Sequence, residues 1–476
     1  MQSALFTDFY ELTMAQGYWR AGDRRRAVFD MFFRRQPFGG GYAVFAGLEP
    51  LLRALEDFRF SGEDLAWLDS LGIFEKGFLD YIASFRFSGS IWAMPEGSVI
   101  FPQEPLVRVE ADLVEAQIIE GVVLNFINFQ SLVATKSTRV WRASGYGRIM
   151  EFGLRRAQGL DGAESASRAA YIGGAESTSN ALAGRLFGIP VSGTMAHSWV
   201  MTFPSELEAF EAYAEIYPDK SVFLIDTYDS LDSGIKNAIE AGHALAARGK
   251  RFGVRLDSGD IDYLSRAVRK TLDEAGFEDA FIVVSNELDE NIIERLVGGG
   301  TPVDLWGVGT SLVTGGNEAA FTGVYKLAAV ERGGSFVPTM KFSDNPEKST
   351  NPGVKQVWRL YDDKGSVLAD CLCLEEEEGP RPGVELHLHH PSGDWRETTR
   401  TPARVEPLLE KVMSEGRILD GRPTLADIRS ALRGRLSCFD TTYLRLLNPH
   451  VYKVSISDRL RALKLGFIEE HFKDAR

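Results

Sequence analysis

Two kinds of chemistry can be read from the residues between 150 and 316. The segment Gly307-Val308-Gly309-Thr310-Ser311, followed by Gly315-Gly316, can turn backbone N–H groups and hydroxyls toward a phosphate, while Arg155, Arg156 and Arg255 supply cations. Asp226, Asp229, Asp257 and Asp260 would repel that phosphate unless they accept hydrogen bonds from sugar hydroxyls or hold Mg²⁺ through its waters. Arginines, carboxylates and a Gly-Thr loop together fit a phosphorylated sugar with a metal ion. Salt bridges at loop ends would account for the same residues without a ligand. His197, one of seven histidines, lies between Thr194-Met195-Ala196 and Ser198-Trp199. A neutral imidazole there could move a proton or accept a phosphoryl group, and a packed, hydrogen-bonded histidine is the plainer alternative. Cys371-Leu-Cys373 and His387-Leu-His389 have the period of a strand, so two paired strands could bring them to one zinc ion. The usual two-residue spacer is missing, which favours two alternating strands with small buried thiols.

These residues recur at the ends of short apolar runs, each followed by a longer stretch of helical periodicity, which is the pattern of βα units. Strands are expected at 147–153, 188–194, 221–227, 251–257, 280–286 and 303–309, with helical stretches between them. Crossovers of this length require parallel neighbours, and six units in succession favour a closed or nearly closed α/β barrel over an open sheet. In such a fold the ligand sits at the carboxyl ends of the strands, where the arginines, aspartates, His197 and the Gly-Thr loop above are found. Residues 1–144 read as a separate α+β domain, 145–325 as the barrel, and 326–476 as a C-terminal region that is β-rich to about 395 and helical from 400. The acidic run Glu375–Glu378 reads as a solvated loop.

The chain has 476 residues, enough for two or three domains with substantial cores. Its 53 basic and 67 acidic side chains give a net charge of −14, a field that repels a nucleic-acid backbone. Three cysteines are too few for a disulfide framework. The first sixteen residues carry no basic side chain, unlike a signal peptide, and no apolar run is long enough to span a membrane. A soluble, cytoplasmic protein is expected.

The chain resembles the nicotinate phosphoribosyltransferases of the type II phosphoribosyltransferase group. The resemblance is carried by Thr7–Tyr18, Ile127–Leu132, Glu151–Ala157, Ser192–Trp199, Arg255–Asp260, Gly307–Leu312 and Val324–Leu327, in that order, over most of residues 5–360. It implies an irregular, incomplete α/β barrel and a homodimer with shared active sites. It also implies phosphoribosyl transfer from phosphoribosyl pyrophosphate to nicotinate, with ATP hydrolysis coupled through a phosphohistidine. His197 matches the phosphohistidine position. Tyr10, from the partner subunit, and Phe152 would sandwich the pyridine ring, with Asp8 beside Tyr10 in the same motif. Arg255 and Thr194 match positions that contact nicotinate, and Arg255 would read its carboxylate. Asp226 and Asp257 match positions near the ribose and its Mg²⁺-pyrophosphate. Gly309 and Thr310 match the 5′-phosphate loop, and Arg155 a cation at the phosphoribosyl substrate. Mg²⁺ is expected mainly on the pyrophosphate rather than in a protein metal site. Residues 361–476 carry little of the resemblance.

Three rivals remain. A nicotinamide phosphoribosyltransferase would share the barrel and the histidine, although Thr194–Trp199 is more similar to the nicotinate enzymes. A sugar-phosphate aldolase or isomerase needs a strand-end lysine or general base, and none of the six strand ends carries a lysine. A non-catalytic nucleotide sensor would not need Arg255, Asp257 and His197 together.

Overall fold

The computed structural model describes residues 3–343 and 348–474, which divide into two compact units. Val133–Ala319 form one, and Met1–Leu132 with Ala320–Arg476 form the other.

The unit Val133–Ala319 is built on a six-stranded sheet in the order Ser177–Thr178, Arg148–Glu151, Leu305–Val308, Phe281–Asn286, Gly253–Leu256, Val222–Leu224. Every pair is parallel. Its central strands are buried almost throughout, as expected where helices cover both faces. The ladder does not close, in keeping with the incomplete barrel that the resemblance implies. Helix Ile261–Glu274 shows how the sequence writes each unit: Asp260 caps it by accepting from Tyr263 N–H, and Ser265, Val268 and Leu272 bury one stripe.

Two local expectations need correction. The strand expected at 188–194 is reduced to a single bridge between Val191 and Thr178, because Pro190 has no N–H to extend the ladder. The preceding stretch, read as one helix, breaks into helix Leu160–Ile172, strand Ser177–Thr178 and helix Ala181–Phe187. Gly173-Gly174 end the first helix, and Asn180 caps the last.

Among the described residues the other unit holds a two-stranded sheet, in which Ala43–Val44 pairs with Val99–Ile100, and two larger sheets. One has seven strands, in which Arg26–Phe33 lies between Gly323–Arg332 and Val107–Asp112, antiparallel to both. The other has six, with Val454–Ile456 between Leu386–His390 and Val367–Leu374. Residues 400–476 are therefore less helical than expected: alongside helices Leu425–Ser437 and Asp458–Asp474 they supply strands at Arg404–Pro407, Glu410–Ser414, Arg417–Ile418 and Val454–Ile456. The acidic run is not simply solvated, since Glu375 ion-pairs with fully buried Arg108 at 2.9 Å and Glu377 accepts from Ser457 Oγ at 2.6 Å. Cys371 and Cys373 lie on one face in a small apolar cluster with Leu388, and Val454–Ile456 separates their strand from that of His387 and His389. Among the described residues no group of three or more His, Cys, Asp or Glu side chains could hold a metal ion. Among them, no helix is long and apolar enough to cross a membrane.

Candidate active site

Arg255 is the only charged residue in Gly253–Leu256, and its guanidinium organises the strand ends of the parallel unit. Nε donates to Ser285 Oγ at 2.8 Å, Nη1 to Thr194 Oγ1 at 2.8 Å and to the Met195 carbonyl at 3.2 Å, and Nη2 to Asp257 Oδ1 at 3.0 Å. Four of its five N–H groups are thus used within the protein, and one on Nη2 remains for a ligand. Ser285 in turn donates to Asp257 Oδ1. Burial alone would raise the Asp257 carboxyl, but the Ser285 hydrogen bond, the charge and hydrogen bond of Arg255 and the charge of His197 outweigh it and hold it below the usual range.

His197 opens the short helix His197–Met201. Its Nδ1 lies 3.1 Å from Thr227 Oγ1 and its Nε2 3.9 Å from Asp257 Oδ2. Asp226 Oδ2 accepts from Asp257 N–H at 3.0 Å and Ser258 Oγ at 2.6 Å, while its Oδ1 is buried without a partner among the described residues. That free acceptor beside a second carboxylate fits a donor brought by a ligand, such as a sugar hydroxyl or a water held by Mg²⁺.

Phe152 follows the strand Arg148–Glu151 half-buried, against Met150, Val222, Val283 and Leu305. Glycine leaves it room: a Cβ on Gly307 would come within 2.8 Å of its ring, and one on Gly153 would strike Val313 Cγ1 at 2.2 Å. Gly309 caps the short helix Thr310–Thr314, and Arg155 is exposed in the turn Leu154–Arg156. The structure thus brings Phe152, Thr194, His197, Asp226, Arg255, Asp257, Gly309 and Thr310 to strand ends or the loops after them in one unit. Asp229 and Asp260 have other work. Asp229 accepts from Leu231 N–H at 3.0 Å and Asp232 N–H at 2.6 Å, and Asp260 from Tyr263 N–H at 3.1 Å, so both cap the helical turns that follow.

Tyr10 and Asp8 belong to the other unit, at the start of helix Phe9–Arg20. Nearly half of Tyr10 is exposed, and its hydroxyl, hydrogen-bonded to Glu120, is pushed above its ordinary pKa by burial and by the charges of Glu120, Glu11 and Asp8. Beneath it, Glu11 has no exposed surface. Burial, reinforced by Glu120 and Asp8 and opposed by hydrogen bonds from Thr7 and the Asp8 backbone, raises its pKa to about 7. Glu120 accepts from Gln117 Nε2 at 3.0 Å and faces Lys326 Nζ at 3.9 Å.

Residues 5–128 match the nicotinate phosphoribosyltransferase (NAPRTase) N-terminal domain, 147–364 the NAPRTase family and 354–464 its C-terminal domain. The chain is 43% identical to the nicotinate phosphoribosyltransferase of Bacillus subtilis (strain 168) over 470 residues, covering 98% of this chain and 95% of that one. The chain belongs to the nicotinate phosphoribosyltransferase family. The Homo sapiens member is 38% identical over 518 residues, covering 96% of this chain and 95% of that one. The crystal structure of the human nicotinic acid phosphoribosyltransferase superposes with a TM-score of 0.85 at 36% identity, over 96% of this chain and 99% of that one. A nicotinate-nucleotide pyrophosphorylase from Pyrococcus furiosus shares the fold, with a TM-score of 0.71 at 22% identity over 91% of this chain and 95% of that one. The C-terminal match corrects the expectation that residues 361–476 carry little family signal.

Sequence reasoning gave no role to Glu151, Thr227 or Ser285. Glu151 is fully buried and takes the Ser167 hydroxyl at 2.9 Å, the Thr178 hydroxyl at 2.5 Å and the Gly153 N–H, which ties the Phe152 turn to its neighbours. A carboxylate closing an apolar strand was the available signal, since buried charge requires partners. Ser285 and Thr227 also end strands, but their types alone do not separate a site hydroxyl from a turn residue.

Proposed function

We propose that the chain transfers the phosphoribosyl group of phosphoribosyl pyrophosphate to the ring nitrogen of nicotinate, forming nicotinate mononucleotide for NAD synthesis. It works as a cytoplasmic homodimer whose shared sites each take Tyr10 from a second subunit. The reading rests on the Arg255 guanidinium bridging Thr194, Ser285 and Asp257 at the strand ends of a chain of this family. The remaining Nη2 hydrogen takes the nicotinate carboxylate, and Phe152 and Tyr10 stack on the pyridine faces. As the C1–oxygen bond to pyrophosphate lengthens, positive charge grows on the ribose ring. Asp257, held ionised by Arg255 and Ser285, and Asp226 stabilise that charge. The nitrogen lone pair then closes the N–C1 bond, and pyrophosphate leaves with the electron pair of the broken bond. Mg²⁺ on the pyrophosphate supplies neutralisation of the leaving charge. Gly309 and Thr310 hold the 5′-phosphate, and Arg155 adds a cation at the phosphoribosyl substrate.

ATP enters through His197. With the Nδ1 hydrogen directed at Thr227 Oγ1, the lone pair on Nε2 attacks the γ-phosphorus. The Nε2–P bond forms as the bond to ADP breaks, and water later releases inorganic phosphate. The phosphohistidine regulates substrate binding and product release and is not the nucleophile of ribosyl transfer.

The test is a chromatographic product assay with purified protein, Mg²⁺ and phosphoribosyl pyrophosphate, with nicotinate or nicotinamide, each with and without ATP. Nicotinate mononucleotide in a yield that rises with ATP, alongside ADP, is the expected result. Product from nicotinamide alone, or none from either base, would overturn the reading.

A further inference from the structure

In the unit formed by both chain ends, a cavity of about 200 Å³ is walled by the loop at 95–98, strands Lys355–Tyr361 and Arg404–Pro407, and helix Leu425–Ser437. Arg359, Arg404 and Arg435 line it. Arg359 is matched by Asp370, with Nε–Oδ1 at 2.9 Å and Nη2–Oδ2 at 2.6 Å. Arg404 is matched by Glu406 at 3.0 Å, the same oxygen that accepts from the Tyr361 hydroxyl at 2.6 Å. Arg435 donates through Nη1 to the Glu96 carbonyl at 2.6 Å and makes no ion pair among the described residues. Burial and the Asp370 charge raise the carboxyl of Glu104, next to Asp370, well above the usual range. Of the three guanidiniums, two are ion-paired, Arg359 with Asp370 and Arg404 with Glu406.

Burial and the charge of Arg359 oppose the Arg435 cation, and Glu406, Tyr361 and Glu410 offset them only in part, without an ion pair. An arginine cannot relieve this by losing its proton. Ser98, 4% exposed, lines the same cavity, and its hydroxyl makes no hydrogen bond among the described residues. A buried guanidinium without an ion pair among the described residues, with donors on separate walls, calls for an anion with acceptors in several directions. We propose that this cavity binds a small tetrahedral oxyanion of the orthophosphate or sulfate type, held by Arg435, Arg404 and Ser98. The volume admits such an ion with a few waters, each taking roughly 30 Å³, and is too small for a nucleotide. The ion joins helix Leu425–Ser437 to the sheet and to the loop at 95–98. It has no part in the transfer proposed above, so the two readings stand or fall separately.

Equilibrium dialysis of the full chain with radiolabelled orthophosphate tests this, with nicotinate mononucleotide present to fill the 5′-phosphate position of the strand-end site. The expected result is one phosphate per chain, displaced by sulfate and not by acetate. Arg435→Gln should weaken binding about tenfold or more, as loss of a charge-assisted contact does, with partial recovery in Arg435→Lys. Ser98→Ala and Arg404→Gln should weaken it severalfold, and they carry the test if Arg435→Gln does not fold. Absence of bound phosphate at millimolar concentration, or equal affinity in the wild type and these variants, would overturn the proposal.

Discussion

Arg255→Ala tests the carboxylate contact through a ratio rather than a loss. The substitution has a component common to any base, because Asp257 and Ser285 lose the guanidinium that aligns them. It also has a component specific to nicotinate. With four of the five N–H groups occupied inside the protein, one charge-assisted hydrogen bond is available to the substrate carboxylate. Such a contact is worth roughly 1.5–3 kcal/mol, or about 10- to 150-fold in kcat/KM. Nicotinamide can accept the same hydrogen through its carbonyl, but without a negative charge. Dividing kcat/KM for nicotinate by that for nicotinamide cancels the common component. We expect this ratio to fall by about tenfold or more in Arg255→Ala, measured by chromatographic initial rates at fixed phosphoribosyl pyrophosphate. Equal proportional losses with the two bases would mean that Arg255 only positions Asp257, and the carboxylate would have to be read elsewhere.

Three other outcomes follow from the same geometry. His197→Ala should retain transfer without ATP but bind phosphoribosyl pyrophosphate more weakly; a complete loss of transfer at saturating substrate would refute a purely regulatory histidine. Glu290→Gln should destabilise the fold by about 3–5 kcal/mol in urea titration, because buried Glu290 faces Lys136 at 2.6 Å and Arg139 at 2.8 Å. Burial alone would raise the Glu290 pKa, but the two cations lower it overall. The contribution of the charged form is therefore present above the unfolded glutamate pKa and lost as pH falls through the lower folded value, so the gap between wild type and variant should close in acid. For Glu11 the sign reverses: its folded pKa of about 7 lies above the unfolded value, so the stability gained from its protonated form is complete below the unfolded pKa and lost as pH rises through 7. Glu11→Gln should accordingly gain stability relative to wild type between pH 5 and 8, and a pH-independent difference would refute a neutral carboxyl at that position.

Much of the parallel unit was legible because its signals are local. An apolar run closed by a polar residue and followed by a helical stripe marks a strand and its crossover wherever the rest of the chain goes, and five of the six expected strands appear. The candidate residues at their ends were legible for the same reason. The sixth failed on a local detail, since Pro190 and the nearby glycines divide the segment into pieces too short for periodicity to register. The Asp-x-x-Asp spacing stands at two of the strand ends, and in both cases the first carboxylate, Asp226 or Asp257, stays at the strand end while the second, Asp229 or Asp260, caps the helical turn that follows. Composition cannot make that distinction; it depends on where the chain turns.

What only the tertiary structure decided involves partners distant in sequence. Arg26–Phe33 pairs with Gly323–Arg332 across most of the chain, a pairing chosen by burial of both faces rather than by any neighbouring residue. The engagement of Arg255 by Thr194, Met195, Ser285 and Asp257 is of the same kind, as are the burial that raises the Glu11 pKa and the arginine left without an ion pair among the described residues at the cavity beside Ser98. Residue types and short spacings state which groups could do chemistry. How many hydrogens each has left, and which charges stay uncompensated, depends on desolvation and on neighbours that only the folded chain brings together.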